Sequence, residues 1–139
     1  MSLLKAEALL GRTAGRMEGS FLVAEWSDPG STPGYIAPPH RHLRDDEIWY
    51  VLEGTLRFRL GDDEVEAEAG AAVVGPAGMP HTFWNPSRSP ARYLVVMSPG
   101  TVRLIEEVHS MPDRSGERLR ELFERHGCEY LPDLWAERG

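Results

Sequence analysis

The chain has 139 residues and a formal net charge of −7, with 22 acidic against 15 basic residues. This length suits one domain, and a hydrophobic content of 41% is enough for a core. The acidic charge repels phosphate backbones, which argues against a nucleic acid partner. No run approaches the roughly 18 consecutive apolar residues of a membrane-spanning helix, so no membrane partner is expected.

The N-terminal segment and the cysteine content indicate the compartment. Residues 1–10 are apolar but are interrupted by Lys5 and Glu7, so they do not form the long apolar stretch of a secretory signal. Cys128 is the only cysteine, which excludes an internal disulfide and fits a reducing environment. We therefore predict a cytoplasmic protein.

Between residues 21 and 97 the sequence consists of short runs with period-two alternation, separated by turn signals. In residues 55–60, for example, Leu56, Phe58 and Leu60 share one face of a strand. Residues 48–52 and 93–97 are instead apolar on both faces, which predicts central strands covered by a second sheet or by another subunit. The pattern predicts an all-β sandwich or barrel.

After residue 97 the pattern becomes helical. Ser98 and Pro99 can begin a helix that ends near residue 109, and a second helix is expected from about 115 to 126, with Gly127 ending it. We predict that this pair packs on the outside of the barrel. The whole chain, 1–139, is then a single domain with a barrel core at about 19–98 and a helical tail at about 99–127.

The first group of chemically suggestive residues is His40, His42 and Glu47. Two histidines that are two residues apart on a strand point to the same face, where both imidazoles can bind one metal ion. Glu47 lies an odd number of residues further on, so residues 43–46 must form a turn or bulge if it is to join them. Glu47 then begins an apolar strand, and a buried carboxylate needs a partner such as a cation.

A second group supplies a third imidazole. A turn at residues 76–78 allows His81 to begin a strand on the way back. His40, His42, Glu47 and His81 together suit one divalent transition metal ion, Fe, Mn, Ni, Cu or Zn, with coordination positions left for a substrate. His109 and His126 have no companion ligands, and we expect them at the surface or at helix ends.

Both groups lie in motifs that resemble those of the cupin superfamily. The matching positions are Gly34, His40, His42, Glu47 and Gly54 in the first motif, and Gly70, Pro76, Gly78, His81 and Asn85 in the second. The resemblance implies a jelly-roll β-barrel, here with a short C-terminal pair of helices, a metal ion inside it and frequently a homodimer. It does not imply one reaction, because these proteins catalyse many.

Three functions remain open at this point. The first is a metal-dependent dioxygenase, similar to quercetinase-like cupins, that acts on a small organic molecule and uses Glu47 as a candidate general base. The second is a non-catalytic module that binds a metabolite or metal. The third is a sugar isomerase or epimerase, although no second base or sugar-phosphate contact is recognisable in the sequence.

The apolar and basic residues near the motifs have structural interpretations as well. We assign a set of bulky residues to core packing in preference to a ligand pocket: Trp49, Phe58, Met79, Phe83 and Met97. Tyr50, Arg57 and Arg59 are expected at the solvent or at a dimer interface. A homodimer is predicted because the runs that are apolar on both faces exceed what one small barrel can hide.

Overall fold

The computed structural model describes residues 13–31 and 33–135. The strands form two five-stranded antiparallel sheets, and two helices follow the ninth strand. The all-β class, a jelly-roll barrel with a short C-terminal pair of helices, is thereby confirmed. The prediction that residues 1–10 carry no secretory signal concerns a segment outside the described residues. No helix in the described part of the chain is long and apolar enough to cross a membrane.

The strands are β1 (Thr13–Gly15), β2 (Leu22–Asp28), β3 (Ala37–His42), β4 (Glu47–Glu53), β5 (Thr55–Leu60), β6 (Asp63–Glu68), β7 (Ala72–Gly75), β8 (His81–Trp84), β9 (Ala91–Met97) and β10 (Cys128–Tyr130). The helices are α1 (Pro99–Ser110) and α2 (Gly116–Arg125). The first sheet has the order β1-β2-β9-β4-β7 and the second the order β10-β3-β8-β5-β6.

The alternation of β5 places its apolar side chains in the barrel and its arginines outside. Leu56 and Phe58 are fully buried in the main core, as predicted for Phe58. Arg57 lies 2.6 Å from a carboxylate oxygen of Glu66 on the neighbouring strand β6, and Arg59 lies 3.4 Å from Glu64. These arginines therefore form ion pairs on the outer surface of the second sheet.

Strand β4 has one buried and one exposed apolar face. Trp49 and Val51 point into the core, whereas Ile48 and Tyr50 are 38% and 40% exposed. This exposed apolar face continues onto both neighbouring strands, because Ile48 pairs with Val74 on β7 and Tyr50 pairs with Leu94 on β9. Residues 48–52 are therefore covered on one side only by the described parts of the chain.

Two residues of the motifs, Gly54 and Asn85, form turns at the ends of strands. Gly54 joins β4 to β5 with a φ of 77°, and a side chain there would place its Cβ 2.5 Å from the carbonyl oxygen of Pro90. Asn85 also forms a turn, because its side chain accepts from the Ser87 amide and donates to the Ser89 carbonyl. These motif residues therefore have structural roles at the ends of strands.

The helices close the barrel interior, and the prediction that they pack on its outside is wrong for α1. Ser98 caps α1 by accepting a hydrogen bond from the Thr101 amide, and Gly127 follows α2 with a φ of 71°. Val102 of α1 is buried in the main core. The chain then forms β10, which the sequence did not predict and which pairs with β3.

Candidate metal centre

Three histidines meet inside the barrel because two neighbouring strands of the second sheet carry them. His40 and His42 lie on the same face of β3, and His81 at the start of β8 is directly opposite His40 in the register. One ring nitrogen of each lies within 4.8 Å of those of the other two. All three side chains are buried, so the cluster can hold a metal ion away from bulk water.

Glu47 reaches the cluster from the facing sheet after the predicted turn at residues 43–46. That turn is held by Asp46, which accepts from the Ala77 amide at 2.8 Å, and by Asp45, which accepts from the Ser98 hydroxyl at 2.9 Å. The Glu47 carboxylate lies 3.4 Å from Nε2 of His42 and 3.8 Å from Nε2 of His81. The structure therefore brings the four predicted residues together.

The hydrogen bonds of the outer nitrogens of two histidines determine the tautomers of their rings. Nδ1 of His40 donates to the Pro38 carbonyl at 2.6 Å, and Nδ1 of His81 donates to the Met79 carbonyl at 3.3 Å. Because a carbonyl can only accept, each ring carries its proton on Nδ1 and presents the lone pair of Nε2 to the cluster. This is the tautomer that a metal ion requires.

One buried nitrogen of the histidine cluster has no hydrogen-bond partner in the described part of the chain. Nε2 of His81 forms no hydrogen bond with any described residue, although the side chain is only 1% exposed. Such an orphaned polar atom is costly unless something else satisfies it. A divalent cation bound by the histidines satisfies this atom and neutralises the nearby Glu47 carboxylate, so the residues fit a metal ion.

The electrostatics of the cluster differ from one histidine to the next. Burial lowers the pKa of His40 well below its usual value, and the neighbouring His81 and His42 add to this effect. Burial also lowers the pKa of His81. Burial opposes the protonation of His42 too, but its hydrogen bonds to Cys128 and Glu47 outweigh it and raise the pKa of His42 to about 10.

A glycine lets an aromatic ring pack beside the cluster. The rings of Trp49 and His81 meet edge to face, with centroids 5.1 Å apart. A Cβ atom on Gly75 would lie 2.9 Å from the Trp49 ring and 3.6 Å from Nδ1 of His81. A side chain at position 75 on β7 is therefore excluded, because the indole ring of Trp49 occupies the adjacent space.

A cavity of about 300 Å³ extends from the cluster along the barrel interior. Its lining is mostly apolar: Trp26, Ser27, Ile36, Ala37, Pro38, His40, His42, Glu47, Trp49, Phe83, Tyr93, Val95, Thr101, Leu104, Ile105, Val108, His109 and Phe123. No lysine or arginine occurs among these described residues. Burial raises the pKa of Tyr93, with Asp28 and Glu47 adding to the effect, so Tyr93 stays a neutral phenol.

The two helices supply one wall of the cavity. Leu104, Ile105 and Val108 line it from α1, and Phe123 of α2 packs its ring 5.4 Å from that of His40. The sequence predicts the helix α2 but not the destination of its apolar residues. That destination depends on how the tail folds back over the barrel, which local spacing does not specify.

The other residues considered in the sequence analysis lie outside the histidine cluster. Trp49 and Phe83 belong to the core and also line the cavity, while Phe58 and Met97 lie in the core alone and Met79 is half-buried. His109 is exposed on α1 but borders the cavity. His126 follows α2 and lies 3.2 Å from a Glu107 carboxylate oxygen. Neither histidine belongs to the cluster, as expected.

Sequence reasoning missed Cys128. Its thiol is 4% exposed and lies 3.1 Å from Nδ1 of His42, because β10 pairs with β3 and places the two residues opposite each other. The sequence offered no signal for this contact, which joins residues 86 positions apart.

Comparisons with known proteins agree with this arrangement. A family model described as "Cupin domain" matches residues 31–97, which include all four candidate ligands. Tetracenomycin polyketide synthase protein TcmJ from Streptomyces glaucescens is 33% identical over 67 residues, which are 48% of this chain and 45% of that protein. The match thus spans less than half the length of this curated relative.

Two solved structures extend the similarity. The protein TT1209 from Thermus thermophilus is 30% identical, with a TM-score of 0.58 over 71% of this chain and 98% of that one. A sugar phosphate isomerase of the cupin superfamily from Silicibacter pomeroyi is 28% identical, with a TM-score of 0.51 over 58% of this chain and 51% of that one.

Proposed function

This chain belongs to the cupin superfamily, and on that premise we propose that it is a metal-dependent oxygenase acting on a small apolar molecule. His40, His42 and His81, together with Glu47, would hold one divalent transition metal ion. The observation that carries the proposal is the position of the three buried imidazoles, which converge at an apolar cavity. A ligand in that cavity would lie directly beside the metal ion.

The metal ion, Glu47 and the apolar wall would have separate roles in the reaction. A bound Fe, Mn, Ni or Cu ion would supply Lewis-acid and redox chemistry beside the cavity. Glu47 lines the cavity and can accept a proton from a substrate hydroxyl group, which is the general-base role predicted from the sequence. The apolar wall from α1 excludes water from the reacting groups.

The cavity wall supports an apolar substrate. Trp49 and Phe83 offer ring faces, and Leu104, Ile105 and Val108 offer aliphatic surface, so binding rests on burial of carbon-rich groups. With neither lysine nor arginine among the described lining residues, a phosphate would lose its hydration without gaining a cationic side chain as a partner. The name of the relative from Streptomyces glaucescens connects that protein with polyketide synthesis, which favours a substrate of this kind.

A second candidate function is isomerisation of a sugar phosphate. The similarity to the sugar phosphate isomerase from Silicibacter pomeroyi favours it, but the apolar cavity argues against a charged and hydrophilic substrate. A non-catalytic module that binds a metabolite or metal is the third candidate, and it predicts binding without turnover.

Oxygen uptake distinguishes these candidates. Protein loaded separately with Fe²⁺, Mn²⁺, Ni²⁺ or Cu²⁺ is mixed with flavonoids, diketones and catechols, and with sugar phosphates in a parallel isomerase assay. We expect oxygen uptake with at least one apolar substrate and its loss in Glu47→Gln. His126→Gln is the matched control, because His126 belongs neither to the cluster nor to the cavity lining. Isomerisation without oxygen uptake would establish the second function, and ligand binding with no turnover would establish the third.

A further inference from the structure

The contact between Cys128 and His42 differs from the other outer contacts of the cluster. His40 and His81 each donate through Nδ1 to the carbonyl oxygen two residues earlier in the chain, at Pro38 and Met79. Nδ1 of His42 instead meets a buried thiol that arrives on β10, at a distance of 3.1 Å. One of the three imidazoles is thus oriented by a residue remote in sequence.

The other hydrogen bond of the Cys128 thiol shows which group donates in the contact between Cys128 and His42. A thiol can donate one hydrogen bond and can also accept, so the contact with His42 is ambiguous when taken alone. Sγ of Cys128 also donates to the carbonyl oxygen of His126 at 3.5 Å. Because that bond uses its only proton, the sulfur accepts from Nδ1–H of His42, and Nε2 of His42 faces the cluster.

An independent observation supports a ligand at this cluster. Nε2 of His81 is buried and unpartnered among the described residues, and it points toward the same place as Nε2 of His42. A cation there needs all three rings in the same tautomer. The thiol supplies for His42 what the local carbonyls supply for the other two rings.

We propose that Cys128 is a positioning residue, which fixes the ring orientation and the tautomer of His42 so that its Nε2 can bind the metal ion. The inference rests on the proposed metal site. Outer contacts of this kind typically contribute about 10- to 100-fold to metal affinity. Cys128 itself lies on the far side of the His42 ring and acts only through it.

Zinc affinity of Cys128 variants tests this role, with Zn²⁺ as the probe and a chelating dye as the competitor. We expect Cys128→Ala to lose about 10- to 100-fold in affinity. Cys128→Ser should stay within a few-fold of the parent, since a hydroxyl also donates one hydrogen bond and accepts others. Leu122→Val is the matched control, because it removes a methylene from the same buried cluster and keeps the thiol that contacts His42.

A second readout separates positioning from packing. In the zinc-loaded protein, NMR should show the Nδ1 proton of His42 as a low-field resonance that exchanges slowly with solvent. It should persist in Cys128→Ser and in Leu122→Val, and exchange rapidly in Cys128→Ala.

The outcomes fall into distinct classes. If Cys128→Ala binds zinc as tightly as the parent and protects the Nδ1 proton equally well, the positioning role is wrong. Equal losses of affinity in Cys128→Ala and Leu122→Val would assign the effect to packing and would also overturn it. If the parent protein takes up no zinc, the metal site itself is refuted, and the positioning role with it.

Discussion

The same strands build two parts of the barrel interior that are packed in different ways. Val51, Leu56 and Phe58 are fully buried and do not line the cavity, whereas Trp49, two residues before Val51 on β4, borders open space beside the histidines. Close packing in the first part stabilises the fold. The second part gives up some of that packing and keeps room for a ligand.

An aromatic cluster connects these two parts. The ring of Phe58 stacks on that of Phe83 at 5.4 Å and lies 5.2 Å from that of Trp49. Trp49 and Phe83 in turn line the cavity. The open part therefore has a wall supported from behind by the packed part, which keeps its shape without a ligand.

The largest expected effect on the free energy of unfolding comes from a substitution in the packed part. Phe58→Ala should lower the free energy of unfolding by about 3–5 kcal/mol, because it leaves a void among fully buried neighbours. Ile105→Ala on the cavity wall should cost only about 1 kcal/mol, since the half-buried side chain already borders open space. Urea denaturation of the metal-free protein measures both. Equal costs would show that the two parts are packed alike.

Metal binding should then stabilise the open part. At a free metal concentration 100 times the Kd, a cation that binds only the folded state adds about 2.7 kcal/mol, so chelation should lower the melting temperature. The His40→Ala, His42→Ala double variant should lose this shift and its bound metal, while His109→Ala keeps both. Undiminished stoichiometric metal in the double variant, measured by elemental analysis, would refute the assignment.

The pH dependence of metal affinity should reflect His42 first. Its pKa is raised to about 10 in the metal-free protein, so below that pH the Nε2 proton must leave before a metal ion binds. Affinity should therefore fall about tenfold for each pH unit from 10 down to 7. The lowered pKa values of His40 and His81 keep these two rings neutral in this range.

Calorimetry can count the released proton directly. Titration with Zn²⁺ at pH 7.5 in buffers of different ionisation enthalpy should report about one proton released per metal ion bound, from His42. A binding enthalpy independent of the buffer would mean that His42 is already neutral, and would contradict the charge difference within the cluster.

We propose that the outer face of the first sheet, on the side away from the barrel interior, is a homodimer interface. Ile48, Tyr50 and Val74 expose a continuous apolar face there, and a second copy of the chain with the same face would cover it. Light scattering should give the mass of a dimer, and Tyr50→Glu should shift the protein to monomer. Val65→Glu, an exposed apolar position on the other sheet, is the control. A monomeric parent protein at micromolar concentration would disprove the interface.

The sequence predicted those features that depend on local spacing. Period-two alternation correctly oriented Leu56 and Phe58, and the interval between His42 and Glu47 correctly required a turn. The motif resemblance supplied the barrel and the grouping of His81 with the first two histidines. Each of these features is encoded within a few residues or in a recognisable motif.

Features that depend on distant pairing were not predictable in the same way. The three residues of β10 are too short for a periodic signal, and only pairing with β3 makes them a strand. The role of α1 as a cavity wall follows from the direction in which the tail crosses the barrel, which is a tertiary property. The raised pKa of His42 depends on both Cys128 and Glu47, so it required the structure.

The pairing of β10 with β3 also affects when the site can form during synthesis. His40 and His42 leave the ribosome many residues before Cys128, and chains lacking residues 128–130 would have β3 without its outer neighbour. A nascent chain would thus bind metal only weakly until its last strand pairs. Loading of the proposed metal ion would in this way be coupled to completion of the fold.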